Sequence, residues 1–106
     1  MATVYVNKTK IHEPQIGKYI ITNAEIKNSV WVLLKKDNKF EFKRGFNTSY
    51  VPSGNYLVEN NILKLIVNKN EIYKFKIDGD KLIFEGSNVD SNLVEIGTIF
   101  KLYNRK

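Results

Sequence analysis

The sequence contains no cysteine, a single histidine and two prolines, and its longest unbroken apolar run is the short segment Val30-Trp31-Val32-Leu33-Leu34. Without cysteine there is no disulfide scaffold, no thiolate-ligated zinc or iron–sulfur cluster and no thiol nucleophile, so the fold must rest on a hydrophobic core. With His12 as the one imidazole, a Ser-His-Asp arrangement would have to use it, and a poly-His metal site cannot be assembled within one chain. His12 sits in Lys10-Ile11-His12-Glu13-Pro14, where a packing or surface role is favoured over catalysis. The apolar run falls far short of the roughly 20 residues a membrane helix needs. The opening Met1-Ala2-Thr3-Val4-Tyr5-Val6 lacks the basic and apolar regions of a secretory signal, so the chain as written reads as cytoplasmic or as an excerpt.

What is present is 106 residues, 42% of them apolar, enough for one compact domain over residues 1–106. Lys and Arg number 17 against 11 Asp and Glu, a formal charge of +6. Such a balance permits acidic partners, although abundant lysine is also an ordinary solvating surface. The densest basic cluster is Lys35, Lys36, Lys39, Lys43 and Arg44 around a turn at Asp37-Asn38. These residues are candidates for anion binding, and the blander expectation is that they guard a sheet edge against aggregation.

Apolar and polar residues alternate with a period of two along most of the chain, and no window sustains helical spacing. The pattern predicts strands near 2–6, 17–22, 30–35, 39–44, 54–59, 62–67, 71–77, 81–85 and 98–103, joined mostly by short Asn, Asp and Gly turns. Alternation places Tyr73, Phe75 and Ile77 on one face and Lys74 and Lys76 on the other. Tyr19, Trp31, Phe40, Phe42, Tyr56, Phe84 and Phe100 join the inward set. The expected fold is all-β: a single small up-and-down antiparallel barrel or half-barrel of about eight to nine strands, with a sandwich as the alternative. Large inward aromatics favour a filled interior over a hollow one.

Two segments break the rhythm. Residues 45–53 join two strands through an ordered excursion carrying Phe46, Tyr50 and Val51, which either cap a barrel mouth or form a contact patch. Between Gly86 and Gly97 a helical turn capped by Asp90 or Ser91 is expected, with Leu93 and Ile96 as a lid. No carboxylate pair stands out for acid–base work, Asp78-Gly79-Asp80 is a turn rather than a calcium loop, and no metal or cofactor is assigned. Lysines and aromatics interleave in Lys39-Phe40-Glu41-Phe42-Lys43 and in Tyr73-Lys74-Phe75-Lys76, but alternation puts them on opposite faces, which disfavours nucleic acid.

Gly17-Lys18-Tyr19, followed by up-and-down strands and a closing strand with Arg105, resembles the lipocalin opening pattern, with Tyr19 where that pattern carries Trp. More broadly, Phe40-Glu41-Phe42, the stretch Ser49 to Tyr56 and the stretch Tyr73 to Phe84 resemble a small lipocalin-like β domain of Firmicutes proteins. Some members of that group follow antirepressor peptidases of the beta-lactam-sensor type. The resemblance implies a non-enzymatic binding or sensory accessory domain of unknown ligand, placed at the cell envelope. The apolar side chains of the long 45–53 loop, Phe46, Tyr50 and Val51, make the neighbouring barrel mouth the expected place for a small molecule or protein partner. Two alternatives stay open: a basic module binding an anionic polymer such as nucleic acid or a cell-wall polyanion, and a carrier of a small apolar ligand inside the barrel.

Overall fold

The computed structural model describes residues 14–22, 30–45, 49–89 and 94–103. Eight strands appear among them: β1 (Gly17–Ile21), β2 (Trp31–Lys35), β3 (Lys39–Lys43), β4 (Ser53–Glu59), β5 (Ile62–Asn68), β6 (Glu71–Asp78), β7 (Lys81–Ser87) and β8 (Ile99–Leu102). Each pairs antiparallel with its sequence neighbour, and β8 returns to pair with β1, closing an up-and-down barrel. No helix occurs among the described residues. The expected strand at 2–6, His12, Phe46 and the caps Asp90 and Ser91 lie outside the described residues.

Local chemistry sets the hairpins. Asn60 and Asn61 both take positive φ, at 50° and 70°, the two-residue geometry whose twist matches the flanking strands. Asn61 then clamps β6, its Nδ2 donating to the Ile77 carbonyl at 2.9 Å and its carbonyl accepting from the Ile77 amide at 3.0 Å. Gly79 supplies the positive φ of the β6–β7 turn. Glu85 is an extra residue in β7, since Phe75 faces Phe84 while Lys74 faces Gly86; this bulge carries the strand to Ser87, two residues beyond its predicted end.

Alternation delivers the core. Tyr19, Val32, Leu34, Phe40, Phe42, Leu63, Leu65, Tyr73, Phe75, Leu82, Phe84 and Phe100 are essentially fully buried. Phe42 of β3 meets Tyr73 and Phe75 of β6 and Phe100 of β8 edge-to-face, with ring centroids 5.0, 5.5 and 6.2 Å apart. Phe75 makes the same contact with Phe84 at 5.3 Å and Phe100 at 5.6 Å. Rings from strands on different sides of the barrel thus meet along its axis, each pair adding about 0.5–1.5 kcal/mol beyond area burial. This interior is filled by side chains, as an eight-stranded barrel allows.

Three expectations are corrected. Trp31 does not point inward: Val32 and Leu34 are the buried residues of β2, so Trp31, Leu33 and Lys35 share the outer face. Ile96 is no lid, being 71% exposed; Leu93 lies outside the described residues, and among the described residues of that connection Val94 is the buried one. Finally, Lys35, Lys39 and Lys43 guard no edge, because β2 and β3 each have a neighbour on both sides.

Gly54 marks the tightest point of the wall. A Cβ there would lie 2.3 Å from the Ile66 carbonyl oxygen and 3.3 Å from the Phe40 ring. Gly54→Ala is therefore expected to cost about 2–3 kcal/mol or more in chemical denaturation. Gly79→Ala, where the new methyl meets nothing within 4 Å and only the backbone is strained, should cost about 1–2 kcal/mol. Equal losses at the two sites would contradict the close approach of β4 and β5.

Candidate functional site

The strand directions sort the connections. The turns at 36–38, 60–61 and 79–80 lie at one end of the barrel; the longer connections from Ile21 to Trp31, Lys43 to Ser53 and Ser87 to Ile99 lie at the other, with the tight turn at 69–70. This loop end is where side chains of opposite chemistry converge.

Glu71 and Tyr73, two residues apart on β6, share the inward face, with Glu71 at the rim. The Tyr73 ring is buried beneath it, and its hydroxyl donates to Glu71 Oε2. Arg44, immediately after β3, sends Nη1 to the same hydroxyl at 3.2 Å. Tyr50, from the connection between β3 and β4, donates its hydroxyl to Glu71 Oε1 at 2.9 Å, and the Arg44 guanidinium lies 5.4 Å from the Tyr50 ring centre. One carboxylate thus accepts from two phenols while one guanidinium touches both aromatic groups. Arg44 Nε is buried with no hydrogen-bond partner.

Burial pushes the Tyr73 phenol well above its ordinary value, and its bond to Glu71 pushes in the same direction, against the opposing pull of Arg44. Tyr50 is raised by the same two causes, burial first and then Glu71. Both phenols therefore remain protonated donors at neutral pH. Asn88 ties the β7–β8 connection to the same rim: its Oδ1 accepts from the Ile72 amide at 2.8 Å, its amide donates to the Ile72 carbonyl at 3.2 Å, and its Nδ2 donates to the Lys69 carbonyl at 3.3 Å.

Of the predicted mouth residues, Tyr50 is in this network and Val51 is half-buried beside it in the chain, followed by buried Pro52, whose carbonyl accepts from the Phe42 amide at 2.9 Å. The predicted anion cluster is not one patch. Lys35 and Lys39 face each other across the β2–β3 hairpin beside exposed Lys36, at the turn end, and Lys35 pairs with Glu41 at 2.9 Å. Lys43 stands at the opposite end of β3, and Arg44 turns toward the rim network. Sequence reasoning missed Glu71 as a site residue; its signal was a carboxylate at the inward parity of Tyr73, Phe75 and Ile77.

Among the described residues no cluster of three His, Asp or Glu side chains could hold a metal ion, and no helix is long and apolar enough to cross a membrane. Compared with protein-family models, curated proteins and solved structures, the chain matches none.

At the turn end, the buried Tyr19 hydroxyl donates to the Gln15 carbonyl at 2.7 Å. Burial outweighs that bond and pushes its pKa up from 10.0 to about 12. A phenol that ionises at a lower pH in the unfolded chain than in the native one leaves stability intact below about pH 10 and erodes it from there to about pH 12. Denaturation across that window should show this decline, with a shallower slope in Tyr19→Phe. At the loop end, Tyr73→Phe keeps the ring and removes both hydroxyl bonds, so a loss of about 1–2 kcal/mol is expected. A neutral result would mean the rim network contributes nothing to the fold.

Proposed function

We propose that the chain is a lipocalin-like, non-enzymatic binding or sensory accessory domain that takes a small polar ligand at the loop end of its barrel. The carrying observation is the convergence of Arg44, Tyr50, Glu71 and Tyr73 where the longer connections gather. Binding sites favour loops held by a rigid scaffold, and here the scaffold is the run of successively paired strands from β3 through β4 and β5 to β6. The up-and-down topology and Gly17-Lys18-Tyr19 at the start of β1 support the lipocalin-like reading, and an accessory role in a Firmicutes envelope protein follows from that resemblance. The filled axis speaks for a ligand at the rim rather than an apolar cargo inside.

The rim offers a carboxylate that accepts and a guanidinium that donates, so the fitting ligand carries both a donor and an acceptor. Isotope-labelled protein titrated with a panel of amino acids, monosaccharides and small carboxylic acids tests this by amide chemical shifts. A binding member should perturb Arg44, Tyr50, Glu71 and Tyr73 first, and the perturbation should vanish in Arg44→Ala with the fold retained. Shifts confined to other surfaces, or unaltered binding in Arg44→Ala, would overturn the reading.

A further inference from the structure

The register of the barrel assembles a second surface on its outer wall, running from Lys81 at the turn end to Lys43 at the loop end. Following directly opposed residues across five strands gives one row: Lys81 of β7 faces Lys101 of β8, Lys101 faces Ile20 of β1, Ile20 faces Trp31 of β2, and Trp31 faces Lys43 of β3. Inward partners such as Leu82, Phe100, Tyr19, Val32 and Phe42 are buried, so all five row residues face outward. At about 4.8 Å per strand the row covers roughly 20 Å of wall.

Two aromatics belong to this surface. Trp31 sits within the row, with Lys18 Nζ 4.9 Å from its ring centre. Tyr103 shares the outward parity of Lys101, is 55% exposed, and donates its amide to the Lys18 carbonyl at 2.8 Å. Beside Tyr103 a cleft of about 620 Å³ runs along the β1–β8 seam, lined by Ile20, Thr22, Lys101 and Tyr103 among others. Asp80 also lines it, and Glu41 and Asp78 border the surface.

We propose that this surface binds single-stranded nucleic acid, with Lys18, Lys43, Lys81 and Lys101 on the phosphates and Trp31 and Tyr103 as base-stacking platforms. Cations that follow a backbone, interleaved with aromatic faces, are the chemistry of sequence-tolerant single-strand binding. A phosphate arriving beside Trp31 draws the Lys18 ammonium off the indole and uncovers its face. The aromatics decide the occupant: a polyol phosphate has no base to stack, and a lipid surface asks for protruding apolar anchors, whereas Ile20 and Trp31 are half-buried in the wall. The surface faces outward whereas the rim residues Glu71 and Tyr73 face inward, and it goes beyond the function proposed for the rim.

Trp31 is the only tryptophan of the chain, so its fluorescence reports this surface directly. Oligothymidylate should quench it at low salt, with affinity falling against salt at a log–log slope of about −3 for four lysines. Lys81→Gln/Lys101→Gln, checked for its fold by circular dichroism, should roughly halve that slope. Trp31→Ala should weaken binding of a dye-labelled oligonucleotide about tenfold or more. Absent or salt-insensitive quenching by oligothymidylate would overturn the proposal. So would equal affinity for inorganic polyphosphate, or a preference for phosphatidylglycerol vesicles. The fluorescence titration needs only the wild-type chain, so a misfolded variant leaves the proposal falsifiable.

Discussion

Closure of the sheet is the constraint from which the rest follows. Once β8 pairs with β1, every strand has two neighbours and the molecule has a single interior. That interior, ringed by eight strands, is just wide enough for side chains. Phe42, Phe75 and Phe100 occupy it from three strands, and their edge-to-face contacts hold the wall at a fixed diameter. Chemistry that needs contact with solvent is thereby displaced to the rims and the outer wall.

The two rims show how the displacement is managed. Tyr19 and Tyr73 each bury a ring in the core and carry a hydroxyl to its boundary, one to the Gln15 carbonyl and the other to Glu71. An amphipathic side chain at the end of an apolar column satisfies both environments. The rims differ in what surrounds the hydroxyl. At the turn end the bonded partner is a backbone carbonyl. At the loop end a carboxylate and a guanidinium converge on the phenol, and a longer connection adds Tyr50.

Alternation made most of the wall readable in advance, because a period of two assigns a face to each residue once a strand is recognised. Phe40, Phe42, Tyr73, Phe75, Phe84 and Phe100 follow directly. Trp31 shows where that reasoning fails: in Val30-Trp31-Val32-Leu33-Leu34 every residue is apolar, so the sequence has no alternation from which to choose a face. The choice is made by packing, which puts Val32 and Leu34 inside. The rim network was less legible because Arg44 and Tyr73 lie 29 residues apart in sequence and meet only through barrel closure. Ile96 differs for another reason: two apolar residues of that connection, Val94 and Ile96, compete for the core, and Val94 reaches it.

The same closure changes what the lysines mean. In an open sheet, lysines along the outermost strands oppose intermolecular pairing, which is reason enough for a basic hairpin. A closed barrel has no such strand, and that reason disappears. What remains is a wall in which lysines stand directly opposite one another, Lys35 and Lys39, Lys64 and Lys74, Lys81 and Lys101, each pairing mildly unfavourable in a sheet. Glu41 beside Lys35 and Glu59 beside Lys64 offset two of these repulsions through ion pairs at 2.9 Å. The third, Lys81 with Lys101, lies in the row that contains Trp31. There Asp78 stands opposite Lys81 on its other side, and Ile20 separates Lys101 from the indole, so the like-charge pair is flanked by one carboxylate and one apolar side chain.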